Sequence, residues 1–450
     1  MTASAPPLAR GWPVLGSALD LAADTRGFLT RTYQDLGPVF RVHAGPERLM
    51  VLAGAEANVF AARQGAQLFR SKEFWQDNDR EMGGVTRSLI SVDGEEHRAF
   101  RRVERRAYSR SHFEANVRPV LAVAAEDLLP YRPGDTLRVA PWCKATVTEQ
   151  LARVAVTGTA RPYLADILAF VQTGLMVTVT RRWPRAALRT PRYLQAKARV
   201  YRMVDDLVAW HRAHPPVDRA PDLVDDVLAA QAAAPDFWSD ADVRLAAMGA
   251  FIAGLDTAAN SLAFVLYRLH RHPDVLEAVR AEVDAAFADG PPRAEALGRM
   301  PHLHHAVMET LRLHPIAPAI TRTANEAFTF AGHTVPAGSQ VLIATSVAHG
   351  LDQLYPHAAT FDPARFEPGR AEHRQPGAYA PFGVGTHTCL GSGLAEGLIM
   401  LNAAAVVRTL DLHLDPAYRL REVARPTPSP DARLTLSVRA VRHHPVTLLA

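Results

Sequence analysis

A long apolar segment in the second half of the chain constrains the fold more than any other feature. Its helical pattern begins after the N-cap Ser239 and runs to about His270. The most apolar stretch, residues 248–269, still carries Asp256 and Asn260 near its middle. No uncharged run of about 20 residues is therefore available to cross a bilayer. The segment is expected to be the buried core helix of a large fold.

The remainder of the chain is expected to contain more helix than strand. Helical patterns cover residues 95–129, 300–314 and 391–410, and strand-like runs cover residues 39–43, 49–52, 327–330, 340–345 and 434–438. The 33 prolines and 27 glycines are scattered rather than pooled into a linker. We therefore expect one domain over residues 1–450, mainly α with small β-sheets (α+β). Its β-rich parts should lie near residues 35–70 and 316–345.

Composition and charge argue against several classes of protein. The net charge is +4, and only one short basic stretch, residues 98–106, stands out, whereas nucleic-acid binding needs a basic stripe with aromatic residues. Two cysteines, Cys143 and Cys389, cannot build a disulfide framework. Residues 1–10 lack the charged and apolar regions of a signal peptide. The sequence thus predicts a cytoplasmic protein with no membrane anchor and no nucleic-acid partner.

The loop around Cys389 carries the most informative motif. Residues 381–391 read Pro-Phe-Gly-Val-Gly-Thr-His-Thr-Cys-Leu-Gly, and a helical pattern follows. Gly383 and Gly385 allow a tight turn and a close approach to a flat ligand. A cysteine just before a helix N-terminus is stabilised as a thiolate, the species that ligates iron. A lone cysteine is more often an ordinary core residue, however, and the spacing alone leaves the site undecided.

Other uses of this loop fit the residues less well. A phosphate-binding loop requires a lysine followed by Ser or Thr after its glycines. A zinc site requires further Cys or His ligands at short spacing, and His387 alone does not supply them.

The pattern Phe382-Gly383-x-Gly385-x-His387-x-Cys389-x-Gly391 resembles the heme-binding signature of the cytochrome P450 family. The resemblance implies heme b (iron protoporphyrin IX), held between the long central helix and the helix after the cysteine loop. Cys389 would be the axial ligand to the iron, His387 a partner of a heme propionate, and Phe382 a residue packed beside the sulfur.

A second part of the resemblance lies in Glu309-Thr310-Leu311-Arg312. Glu309 and Arg312 are three apart and share a helix face, so a surface ion pair is one reading. The segment resembles the family's Glu-x-x-Arg, and residues 361–366 resemble its downstream arginine motif. Together they imply a structural triad of Glu309, Arg312 and Arg365 that holds the loop before the cysteine.

A third part lies at the centre of the long helix, in Gly254-Leu255-Asp256-Thr257. A threonine there can simply bond back to a carbonyl one turn earlier. The segment resembles the family's Gly-x-Asp-Thr, in which Thr257 would hydrogen-bond dioxygen and Asp256 would relay protons from solvent. The peroxide-driven branch of the family has an Arg-Pro arrangement instead, which this chain lacks.

A fourth part lies in residues 93–101. His97 and Arg101 are four apart and share a helix face, which by itself is typical of a solvated charged helix. They resemble the family's His-x-x-x-Arg, whose side chains hold a heme propionate. Arg322 falls where the family often places another propionate-binding arginine.

The same segment carries four further arginines. They form either a solvated face or a docking patch for an acidic electron donor of the ferredoxin or flavodoxin type. The four residues are Arg98, Arg102, Arg105 and Arg106.

The leading hypothesis is therefore a heme-thiolate monooxygenase of the soluble bacterial type. It would activate dioxygen with electrons from a separate partner and hydroxylate or epoxidise an apolar small molecule. One alternative is a heme-thiolate enzyme without oxygen insertion, such as an isomerase, dehydratase or oxidative coupling catalyst. Another is a heme-based sensor, although no effector or DNA-binding segment is evident.

Overall fold

A computed structural model describes residues 5–292 and 298–449. The chain divides into two compact units. The sheet unit comprises Met1–Gln76, Leu89–His97 and Leu311–Cys389, and the helical unit comprises Asp77–Ser88, Arg98–Thr310 and Leu390–Ala450.

The elements are numbered in chain order over the described residues. The helices are α1 (Ala18–Leu36), α2 (Ala55–Leu68), α3 (Lys72–Gly83), α4 (Gly94–Glu104), α5 (Arg110–Ala115), α6 (Val117–Leu128), α7 (Val139–Ala155), α8 (Leu164–Thr178), α9 (Pro191–Ala213), α10 (Leu223–Ala233), α11 (Asp240–Arg271), α12 (Pro273–Ala286), α13 (Pro301–Leu313) and α14 (Ser392–Thr409). The strands are β1 (Val39–Ala44), β2 (Glu47–Ala53), β3 (Phe69–Arg70), β4 (Thr136–Arg138), β5 (Ile320–Ala324), β6 (Phe328–Phe330), β7 (His333–Val335), β8 (Gln340–Ala344), β9 (Leu410–Leu414), β10 (Glu422–Ala424), β11 (Pro428–Pro430) and β12 (Thr435–Val441).

The sheet unit is built on a five-stranded sheet in the order β1-β2-β8-β5-β3. Strands β1 and β2 form an antiparallel hairpin, whose turn contains Gly45 at a φ of 59°. Strand β8 joins β2 in parallel and β5 in antiparallel fashion. Apolar side chains such as Val39, Leu52 and Val341 alternate along these strands and form a buried cluster with Ala61 of α2.

The helical unit is built around α11. Ser239 and Asp242 form a reciprocal capping box at the start of this helix, so the sequence itself sets where it begins. Helix α11 packs against α7 and α14. It is long and apolar enough to cross a membrane by length and composition, but 72% of its most apolar window is buried inside the structure. That burial is the pattern of a core helix.

The expected fold class, mainly α with small sheets, is confirmed. The segment near residues 35–70, expected to be β-rich, holds strands β1, β2 and β3, but it also contains helix α2, and helix α1 precedes it. The physical reason for α2 is its run of alanine, glutamine and arginine, which are good helix formers. The expectation of one domain over residues 1–450 stays a prediction.

Candidate functional site

The loop that carries Cys389 is held in one shape by two glycines and a backbone hydrogen bond. Gly383 and Gly385 have φ values of 78° and 76°, in the left-handed region that favours glycine. The Cys389 amide donates to the Phe382 carbonyl oxygen at 2.9 Å and closes the loop. A Cβ at Gly385 would come within 3.1 Å of the Ala61 carbonyl oxygen, so a larger residue would press on α2. Cys389 itself is exposed at the end of this loop.

A polar cluster in the sheet unit lies around His387. Asp93 Oδ1 lies 3.0 Å from His387 Nε2, and Asp93 Oδ2 accepts the Ser71 backbone N–H at 2.8 Å. The His387 ring packs on the His97 ring, with centroids 4.1 Å apart. Burial alone would raise the pKa of Asp93, but hydrogen bonds from His387 and the Ser71 amide and the nearby charge of Arg322 lower it. The structure therefore brings two predicted propionate partners, His97 and His387, together. The Asp93 carboxylate contacts both His387 and the Ser71 backbone amide.

Arg322 is a buried arginine on β5. Its side chain donates from Nη1 to the Thr321 carbonyl oxygen at 2.8 Å, which uses one of five N–H donors. Burial lowers its pKa to about 10, and the charge of Asp93 opposes that shift. A buried guanidinium is stable only with an anion or a full set of acceptors. Its position therefore fits a propionate carboxylate.

The two arginines of the expected triad are almost completely buried in the sheet unit. Arg312 donates from Nη1 to the His349 carbonyl oxygen at 2.5 Å, and Arg365 Nη1 lies 2.9 Å from Glu372 Oε2. Glu309, three residues before Arg312 on α13, is also fully buried. Each arginine thus anchors backbone or carboxylate groups in the segment before the cysteine loop. The triad as a unit stays a prediction.

The centre of α11, in the helical unit, holds a buried acid beside a half-exposed alcohol. Asp256 Oδ1 lies 2.6 Å from Lys144 Nζ of α7 and accepts a hydrogen bond from Gln172 Nε2 of α8 at 3.1 Å. Asp256 Oδ2 is buried and has no hydrogen-bond partner among residues 5–292 and 298–449. The Thr257 hydroxyl donates to the Ala253 carbonyl oxygen at 2.6 Å. This is the hydrogen bond to the preceding turn that the sequence analysis gives as the structural alternative.

The arginines of α4 and the turn after it differ in their surroundings. Arg98, Arg102 and Arg105 are exposed, and Arg101 is half-buried. Arg106, in contrast, pairs with Asp226 at 2.8 Å and donates to the Pro221 carbonyl oxygen. Arg106 is therefore already held within the helical unit and is the weakest of the four candidates for docking. The docking patch itself stays a prediction.

Comparison with known proteins decides which class of protein these features define. The family model described as Cytochrome P450 matches residues 6–426. The chain therefore belongs to the cytochrome P450 family, and the resemblance drawn from its motifs is confirmed. It is a heme protein and an oxidoreductase of the monooxygenase class.

Two of its relatives are proteins of Streptomyces melanosporofaciens. Cyclooctat-9-en-7-ol 5-monooxygenase is 29% identical over 347 residues, covering 75% of this chain and 73% of that protein. Cyclooctatin synthase is 34% identical over 240 residues, covering 52% of this chain and 50% of that protein. Among solved structures, retinoic-acid-bound cyanobacterial CYP120A1 has a TM-score of 0.85 at 24% identity, covering 98% of this chain and 100% of that one. The structural likeness shows the fold.

The residues present fit a heme in the sheet unit. Cys389 is exposed on a loop whose glycines permit close approach, and Arg322 is a buried cation suited to an anion. Sequence reasoning missed Asp93 and Ser71 near His387, and Lys144 and Gln172 beside Asp256. Asp93 belongs to the segment 93–101 but stands outside its His-x-x-x-Arg pattern, and the other three residues stand in no recognisable motif. The one available signal was that Lys144 is among only three lysines in the chain.

Proposed function

We propose that this protein uses dioxygen to hydroxylate or epoxidise an apolar small molecule, with electrons from a separate ferredoxin or flavodoxin-type donor. The observation that carries the proposal is the centre of α11, where buried Asp256 stands beside half-exposed Thr257. An acid and an alcohol in an otherwise apolar helix are costly unless they have a chemical or structural use. Their presence favours dioxygen chemistry over isomerisation, dehydration or oxidative coupling.

The proposed cofactor is heme b, with Cys389 as the thiolate ligand to its iron. A heme iron bound by a thiolate supplies the activation of dioxygen, and electron donation from the thiolate favours cleavage of the O–O bond. His97, Arg101, Arg322 and His387 would bind the propionates, and Phe382 would pack beside the sulfur. Glu309, Arg312 and Arg365 would hold the segment before the cysteine loop without taking part in the chemistry.

Asp256 and Thr257 would control the transfer of protons from solvent. The Oδ1 atom of Asp256 is occupied by Lys144 and Gln172, whereas Oδ2 is buried with no partner in the described part of the chain. A buried acceptor of this kind needs a donor, such as a water or a transferred proton. The Thr257 hydroxyl proton is directed to Ala253, so its oxygen lone pairs remain to orient a proton donor.

The substrate would be apolar, because residues 170–183, a segment expected to line part of its pocket, contain the largely apolar run 175–179. On α8 and just after it, Leu175 and Val179 are half-exposed, whereas Met176 and Val177 are buried. The half-exposed pair supports a pocket-lining role, and the buried pair is better explained as core packing. The name of one Streptomyces relative refers to cyclooctat-9-en-7-ol, which makes that compound a reasonable first ligand to screen.

The experiment is turnover under oxygen-18-labelled dioxygen with a surrogate ferredoxin and its reductase. Ligands are first screened for a low-spin to high-spin shift of the heme spectrum. The proposal expects one labelled oxygen atom in the product of a spectrally active ligand. An altered product without label would favour isomerisation, dehydration or coupling. Ligand binding without any turnover would favour a sensor.

The protein is expected to act in the cytoplasm as one domain over residues 1–450.

A further inference from the structure

Asp93 stands at a helix start and uses both carboxylate oxygens to contact other segments of the chain. It immediately precedes α4, which begins at Gly94. Its Oδ2 atom accepts the Ser71 amide at 2.8 Å, and its Oδ1 atom lies 3.0 Å from His387 Nε2. Both oxygens are therefore committed to segments that are distant in sequence.

The contacts of Asp93 determine which ring nitrogen of His387 remains available to bind another group. Ser71 is fully buried, and its Oγ atom lies 3.4 Å from the same Nε2 atom. Nε2 thus faces Asp93 and Ser71, and the other ring nitrogen, Nδ1, points elsewhere. A hydrogen bond at one ring nitrogen sets the orientation of the ring and so the direction of the other nitrogen. The His97 ring, 4.1 Å away, limits rotation further.

Asp93 also acts on the charge of the cluster. Arg322 is buried, and Asp93 is the group whose charge favours its protonated form. His97 and His387 lie in the same cluster as that carboxylate. A carboxylate beside a buried guanidinium offsets the cost of burying that charge. The cluster therefore contains its own anion.

We propose that Asp93 is a positioning residue for the heme, which holds the His387 ring in the orientation that binds a propionate. The inference rests on the proposed propionate-binding role of His387. Asp93 needs no contact with iron, dioxygen or substrate in this role. Its loss should therefore accelerate the release of heme while leaving thiolate ligation unchanged.

The test is the rate at which holoprotein transfers heme to an excess of apomyoglobin. Asp93→Asn is compared with Asp352→Asn, a control from the same unit in which Asp352 Oδ1 accepts the Ala358 amide at 2.8 Å. Asp93→Asn is expected to release heme about tenfold faster than the wild type, as the loss of a charge-assisted hydrogen bond implies. Asp352→Asn should release heme at the wild-type rate. Release from Asp93→Asn at the wild-type rate would overturn the proposal.

A double variant separates positioning from a general loss of stability. If Asp93 acts through His387, adding Asp93→Asn to His387→Ala should accelerate release by much less than about tenfold. Fully additive effects would overturn the proposal, as would release that simply follows a lower urea midpoint of the apoprotein. Failure of the heme assignment itself would give a different result from failure of this proposal. If the heme assignment is wrong, the wild type will lack the red-shifted Soret band of its reduced carbon-monoxide complex.

Discussion

Lys144 Nζ lies 2.6 Å from Asp256 Oδ1, and the two side chains are only 17% and 2% exposed. Helix α7 thus supplies a buried cation to the acid at the centre of α11. A lysine carries a compact charge on a flexible stem, so it can pair with a carboxylate without the fixed fork geometry of arginine. The pair holds Asp256 in one orientation but does not bind it as rigidly as a bidentate arginine would.

Replacing Lys144 with methionine is expected to destabilise the protein. Removal of one partner leaves a buried charge uncompensated, which costs roughly 3–5 kcal/mol in unfolding free energy. The lower end of that range is expected, because Lys144 is partly exposed. Urea unfolding measures the loss. Adding Asp256→Asn should recover most of it, whereas a double variant as unstable as the sum of the two single variants would contradict direct pairing.

Thr257→Ala is expected to uncouple electron consumption from product formation. The variant loses the hydroxyl that Ala253 O orients, so fewer of the electrons consumed should reach product and more peroxide should accumulate. A fall of about tenfold or more in product per electron is expected, within the range for a lost proton-handling group. Thr257→Ser is the matched control, because it keeps the hydroxyl and should stay near wild type. Equal coupling in the alanine and serine variants would remove Thr257 from the proposed role.

Charge reversal at Arg102 and Arg105 is expected to slow reduction by an acidic ferredoxin. Both side chains are exposed, and like-signed charge steers an oppositely charged partner. Arg102→Glu with Arg105→Glu should lower the ferredoxin-supported reduction rate by about tenfold at low salt, and the difference should shrink as salt rises. The control changes two exposed arginines of α9, Arg192 and Arg202, to glutamate. Equal rates in the two double variants would exclude the docking patch.

His211 and Asp222 form a buried pair in the helical unit, with Nε2 and Oδ2 2.9 Å apart. Burial alone would lower the pKa of His211, but hydrogen bonds to Asp222 and the Leu207 carbonyl oxygen raise it. Burial alone would raise the pKa of Asp222, but the hydrogen bond from His211 lowers it. The histidine therefore stabilises the fold fully below its unfolded pKa of about 6.5 and loses this effect as the pH rises through its folded pKa. Asp222 stabilises the fold fully above its unfolded pKa of about 3.9 and loses this effect as the pH falls through its lower folded pKa.

Wild-type protein is therefore expected to lose unfolding free energy between about pH 6 and about pH 9 that His211→Gln does not lose. Urea unfolding at the two pH values measures this difference. His214→Gln, at an exposed position one turn later, is the control and should follow the wild type. Identical pH dependence in wild type and His211→Gln would show that the pair adds nothing to stability.

The ends of the central helix could be predicted because local signals mark them. Ser239 was expected as its N-cap, and the structure places a capping box there and ends the helix at Arg271, one residue beyond the expected His270. Helix α2 contains good helix formers but no such end signal, because Gly54 at its N-cap has no side chain to accept a capping hydrogen bond. It is a short segment between strands, and its buried face, including Ala57 and Ala61, is defined by packing against the sheet.

The candidate site likewise contains some residues that a local motif identifies and others that only tertiary packing brings together. Cys389 and His387 stand in one short motif, so sequence reasoning could find them. Asp93 could not be assigned, because it is 294 residues from His387 and 22 residues from Ser71. Lys144 and Asp256 likewise meet only when α7 packs on α11. Contacts between distant segments depend on tertiary packing, which no local pattern encodes.

Ligation of the heme iron by Cys389 is tested most directly by the difference spectrum of the reduced protein with carbon monoxide. Cys389 is exposed on a loop fixed by Gly383 and Gly385, and its thiolate is the proposed ligand to the heme iron. Wild-type protein is expected to show the red-shifted Soret band of a heme-thiolate protein, and Cys389→Ser is expected to lose that band. Buried Cys143 provides the control, and Cys143→Ser should keep the band. Heme-loaded wild type without the band, or Cys389→Ser that retains it, would contradict the assignment.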